Sequence, residues 1–95
     1  FCAGTEAVVV GGGNSAGQAA MYLSRVASKV HVLVRGKGLV ETMSSYLRQR
    51  LEADPRIAIH TGSSLAELEG GPSLERVTIR GPEGVWSVPC RALFI

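Results

Sequence analysis

The residues best suited to chemistry in this 95-residue chain lie in one loop, Gly11-Gly12-Gly13-Asn14-Ser15-Ala16, and in two cations further on, Arg35 and Lys37. The loop fits G-x-G-x-x-A. It follows an apolar run, Val8-Val9-Val10, and opens a stretch of helical periodicity. In that context each position has a physical task. Gly11 permits a tight turn, Gly13 lets a pyrophosphate approach the backbone, and Ala16 lets the helix pack close to the strand. The phosphates would meet N–H groups at a helix N-terminus, where the macrodipole favours negative charge.

The end of the next apolar run selects among nucleotides. Dinucleotide-binding units usually carry Asp or Glu there, about 20 residues beyond the glycines, to hold the ribose hydroxyls. From Val30 to Val40 this chain has no acidic residue and has Arg35 and Lys37 instead. Two cations suit the extra 2′-phosphate of NADP. The same position argues against a methyltransferase loop, which needs an acid for its ligand's ribose. A glycine-rich turn that binds nothing, with Arg35 and Lys37 as a solvated pair, is the bland alternative.

The other reactive side chains give weaker signals. His31 falls inside an apolar run and His60 ends one, without an acidic partner in a motif, so both read as structural. Cys2 and Cys90 form no CxxC pair and no Cys/His cluster with metal spacing. No residue reads as a general acid, base or nucleophile, and none as a metal ligand.

The elements that must position the loop are β-α-β-α-β. Val8–Val10 predicts a strand buried on both faces. Ala16, Ala19, Ala20, Leu23 and Ala27 predict a helix from Asn14 to about Ser28, with Asn14 as N-cap. Val30–Val34 is the second strand. Met43, Tyr46, Leu47 and Leu51 mark a second helix that Asp54-Pro55 stops, and Ile57–His60 is the third strand. Then Ser64–Glu69, Leu74–Arg80 and Val85–Val88 read as short strands joined by glycine-proline turns. Ala92–Ile95 is a last buried strand. The expected fold is α/β: a Rossmann-like three-layer domain with a small parallel sheet and an antiparallel β-meander. The right-handed crossover rule gives the order Ile57–His60, Val30–Val34, Ala7–Val10, Ala92–Ile95.

Composition limits the partners. Apolar residues make up 45% of the chain, an ordinary globular value. A net charge of +2 and the lack of basic runs point away from nucleic acid. No apolar stretch has the length of a membrane span, and with no leader-like segment at the start the expected location is cytoplasmic. Abrupt ends, Phe1-Cys2 and Phe94-Ile95, suggest a single NAD(P)H-binding domain over residues 1–95, cut from a larger flavoprotein.

At Val8-Val9-Val10-Gly11-Gly12-Gly13-Asn14-Ser15-Ala16, and again at Ala27-Ser28-Lys29-Val30-His31-Val32-Leu33-Val34-Arg35, the chain resembles the NADPH domain of thioredoxin reductases. The resemblance covers nearly all 95 residues. It implies that Gly11, Gly12, Gly13, Asn14, Ser15 and Ala16 belong to the pyrophosphate loop. Arg35 matches the first of two adjacent arginines that bind the 2′-phosphate. The second is Gly36 here and a further family arginine is Val40, with Lys37 as the compensating cation. The resemblance also implies FAD held by a separate domain of the parent chain, a homodimeric parent and a thioredoxin-like protein as partner. The family's CxxC pair precedes this region, and Cys2 matches neither of its cysteines. Val34-Arg35-Gly36-Lys37-Gly38-Leu39 is similar to a subgroup that can lack the pair. The implied function is to present NADPH for hydride transfer to flavin, which reduces a disulfide or another acceptor. Other flavin reductases, acting on iron–sulfur, quinone or nitrogen acceptors, and a non-catalytic NADP-sensing module stay open on the sequence alone.

Overall fold

A computed structural model of the chain describes residues 5–36 and 43–95. Nine elements follow in order: β1 (Glu6–Val10), α1 (Asn14–Leu23), β2 (Lys29–Val34), α2 (Ser45–Ala53), β3 (Ile57–Thr61), β4 (Ser64–Gly70), β5 (Leu74–Gly81), β6 (Gly84–Pro89) and β7 (Ala92–Phe94). The first three strands and β7 form a parallel sheet in the order β3-β2-β1-β7, and β4-β5-β6 form an antiparallel sheet. Both the strand order and the meander are those expected from the sequence.

The parallel strands alternate between two cores, as a period of two requires. Ala7, Val9, Val30, Val32 and Val34 face the helices and pack on Ala16, Ala20, Leu23, Ala27, Met43 and Leu51. Val8 and Leu33 face the other way and pack on Val77, Ile79 and Val88 of the meander. Strands buried on both faces need apolar residues nearly throughout, hence Val8–Val10 in β1 and the run Val30–Val34 in β2, interrupted only by His31. Each fully buried aliphatic side chain stabilises the sheet by about 1.5–3 kcal/mol.

The helices differ from expectation in three places. The N-cap of α1 is Gly13, and Asn14 is the first helical residue. The helix stops at Leu23, short of Ser28, because Ser24 Oγ donates to Met21 O (2.9 Å) and the chain then turns, with Ala27 N–H donating to Leu23 O (2.8 Å). Ala27 nevertheless stays in the core, so the apolar period continues beyond the helix. In α2, Tyr46 is 66% exposed rather than on the buried face, and Met43 precedes the N-cap, Ser44. Ser44 Oγ accepts the N–H of Leu47 at 3.2 Å, one of the helix's unpaired first-turn donors. Among the described residues no helix is long and apolar enough to cross a membrane.

Candidate functional site

The parallel register puts the carboxyl ends of β1 and β2 side by side, Val10 opposite Leu33. Ligands of open α/β sheets bind at this edge. Gly11 leaves β1 with φ +136°, a conformation L side chains rarely adopt, and its N–H donates to Leu33 O at 2.9 Å. A Cβ on Gly11 would sit 3.4 Å from Ala16 Cβ, so the turn folds back on the first turn of α1. Ala16 is 4% exposed and packs in the helix-side core.

Gly13 is extended (φ −94°, ψ −176°), and its carbonyl accepts the first intrahelical bond, from Gly17 N–H at 3.0 Å. The amides of Asn14, Ser15 and Ala16 precede that bond in the chain and form the first turn of a ten-residue helix. No acidic side chain occupies that turn. Asn14 and Ser15 are exposed. The Asn14 side chain is engaged: its Oδ1 accepts the N–H of Ser44 at 2.8 Å.

Arg35 follows β2 directly and is exposed. Its backbone is held on both sides, by Ser63 N–H to Val34 O and Gly62 N–H to Gly36 O, each 3.0 Å. Among the described residues its guanidinium has no ion-pair partner. Lys37, expected beside it, lies outside the described residues, as does Cys2. Cys90 is fully buried at the opposite, amino-terminal edge of the sheet, where Arg91 N–H meets Glu6 O at 3.3 Å. Thus the structure brings the glycine loop and Arg35 to one edge and leaves Cys90 far along the strands from them.

Two features escape a reading of the sequence. Gly17 is a contact glycine: a Cβ there would lie 3.0 Å from Met43 Cε and 3.4 Å from Leu47 Cδ1, so it lets α1 and α2 approach. Its cue was its place one helical turn after Gly13. The second concerns the histidines. His31 does have an acidic partner, since its Nε2 lies 2.6 Å from Glu6 Oε1, and its Nδ1 lies 3.0 Å from His60 Nε2. Burial lowers the pKa of His60, with His31 and Lys29 adding to the shift. Among the described residues no group of three His, Cys, Asp or Glu side chains could hold a metal ion.

Residues 6–84 match the family model for pyridine nucleotide-disulphide oxidoreductases. The chain belongs to this family. Its similarity within it is to thioredoxin reductases. The chain is 37% identical over 76 residues to the one from Dictyostelium discoideum, covering 80% of this chain and 23% of that protein. It is 33% identical over 75 residues to that of Spironucleus barkhanus, covering 79% and 24%. The crystal structure of thioredoxin reductase from Streptococcus pyogenes superposes with a TM-score of 0.88 at 30% identity, covering all of this chain and 31% of that one. This pyridine nucleotide-disulphide oxidoreductase chain therefore spans about a quarter of the length of its curated relatives.

Proposed function

We propose that the chain is the NADPH-binding domain of a thioredoxin reductase-like flavoenzyme, whose FAD is held by a separate domain of the parent chain. The observation that carries this reading is one shared edge: the positive-φ Gly11 turn and the start of α1 beside the exposed Arg35. The residues present fit the nucleotide. The amides of Asn14, Ser15 and Ala16 would bind the pyrophosphate, and Gly13, without a Cβ, would let it approach. Arg35 would pair with the 2′-phosphate, and Lys37 would add charge beside it. The position where NAD- and FAD-binding units carry an acid is a cation here, which favours NADPH in this domain and flavin elsewhere.

Bound NADPH supplies a hydride, which in such an enzyme passes to flavin and on to a disulfide or another acceptor. The part of this chain is to bind and orient. Its loop and Arg35 would fix the nucleotide from the pyrophosphate to the adenosine ribose, and among the described residues no side chain at that edge is placed as an acid, base or nucleophile. The chain alone should bind no flavin and show no reductase activity.

The test is a calorimetric titration of the chain with NADPH and with NADH. NADPH should bind more tightly by roughly tenfold, the effect of one charge-assisted contact at a solvated site. Equal affinities, or a purified protein carrying the absorbance of oxidised flavin, would overturn the reading.

A further inference from the structure

The polar cluster between the parallel sheet and the meander is not used by the nucleotide reading. Glu6 on β1, His31 on β2 and His60 on β3 lie on the meander-facing side of the sheet. Trp86 of β6 closes over them. Its ring centroid lies 4.9 Å from that of His60 and 5.7 Å from that of His31, and the imidazoles stack 5.2 Å apart at 22°. His31 is 5% exposed, and His60 is half-buried with a route to water.

The hydrogen bonds fix the proton count. The Glu6 carboxylate accepts from His31 Nε2, so that nitrogen carries a proton. The 3.0 Å contact between His31 Nδ1 and His60 Nε2 then needs one proton between the two nitrogens. With one there, either ring can donate to the other. With both rings fully protonated, two N–H groups meet head-on and the contact cannot persist. We propose that Glu6, His31, His60 and Trp86 form a proton-operated clasp fastening the meander to the parallel sheet, closed with one proton between the imidazoles and opened when both rings are protonated.

The surroundings support opening at His60 rather than elsewhere. Among the described residues, Glu6 from β1 pairs with His31, and Lys29 from β2 acts with His31 on His60. Leu65, Val77, Ile79, Trp86 and Val88 of the meander pack on this side of the sheet, and the helices lie on the other face. Glu6 balances a charge on His31, whereas a charge on His60 faces His31 and Lys29 and loses hydration. The indole attracts a cation and so opposes opening, but it cannot relieve the head-on contact. His60, nearer water, swings out, and Trp86 loses its ring contact with it.

The sign follows. The pKa of His60 is lowered in the folded chain from its ordinary 6.5, so the unfolded chain binds that proton more readily. The stability it contributes is complete above pH 6.5 and is lost as pH falls from there through the lower folded value.

The chain has one tryptophan, so the emission is that of Trp86, and its two imidazoles are told apart by sequential NMR assignment. Trp86 fluorescence, imidazole NMR and far-UV circular dichroism would be followed from about pH 8 to 4.5, a window spanning the ordinary histidine range. The expected result is a red shift of Trp86 emission with a midpoint below 6.5, coincident with His60 titration and with unchanged backbone signal. His60→Gln, which keeps a donor and cannot titrate, should abolish the shift. The wild-type NMR titration keeps the test decisive if that variant does not fold. A midpoint at or above 6.5, a shift that persists in His60→Gln, no shift at all, or a shift accompanied by loss of the backbone signal would each overturn the clasp.

Discussion

Asn14, the first residue of α1, accepts a hydrogen bond from the backbone N–H of Ser44, the N-cap of α2, across 2.8 Å. One side chain therefore connects the proposed pyrophosphate turn to the start of the second helix. Ser44 in turn caps α2 through its own hydroxyl.

Asn14→Ala should lower stability by about 0.5–1.5 kcal/mol, near the lower end because the Ser44 amide is exposed and water can replace the acceptor. Asn14→Asp separates structure from binding. It keeps an acceptor for Ser44 and places a negative charge where the helix dipole favours one, so stability should hold. That same charge would face the proposed pyrophosphate, and NADPH affinity should fall. Urea denaturation and nucleotide titration of both variants check the two halves independently.

Gly17 sets the approach of the two helices. Gly17→Ala should be nearly neutral. It gains up to about 1 kcal/mol of helix propensity and must move only the flexible end of Met43, 3.0 Å from the new Cβ. Gly17→Leu has no such room and should cost about 1–3 kcal/mol from overpacking against Met43 and Leu47. Denaturation midpoints of the pair, with an unchanged m-value, would check this.

The strand order was legible because it rests on rules that local sequence obeys. Val8–Val10 and Val30–Val34 are too apolar for one-sided strands, and a right-handed crossover leaves few places for the second strand. Helix ends were less legible, since apolar periodicity reports burial rather than hydrogen bonding. Ala27 is buried through a turn, and Tyr46 keeps the helical spacing while facing solvent. The Glu6–His31 pair was invisible because the partners lie 25 positions apart and meet only through the parallel register. The glycine loop could be read because backbone geometry, not distant contacts, dictates its composition.

Cys90 should be dispensable for nucleotide binding. It is fully buried at the amino-terminal edge, and its Sγ donates to Ala92 O at 3.1 Å. In Cys90→Ser the hydroxyl can keep that bond but is more costly to bury, so stability should drop by about 1 kcal/mol. Affinity for NADPH should not change. A thermal melt and a titration on the same sample would reveal either failure.

The strongest discrimination rests on Arg35. It stands at the end of β2 beside the glycine turn, exposed and without an ion-pair partner among the described residues. A guanidinium can meet a phosphate through two parallel charge-assisted hydrogen bonds, which an ammonium cannot reproduce. Such contacts contribute about 1.5–3 kcal/mol, and solvation at this edge argues for the lower end. Arg35→Ala should therefore weaken NADPH binding by roughly tenfold and leave NADH nearly unchanged. The NADPH preference should also shrink as salt rises, because the site is not shielded from counterions. Lys37→Ala should act in the same direction but more weakly, as a point charge without the fork. Gly13→Val should weaken both nucleotides equally, since its side chain would occupy the approach of the pyrophosphate they share. The extended backbone at Gly13 is one that valine can adopt, so the substitution adds no backbone strain, although valine is a poorer N-cap than glycine. Titrating NADPH and NADH against the three variants at two salt concentrations separates the contributions. An Arg35→Ala loss identical for the two nucleotides would place the 2′-phosphate elsewhere.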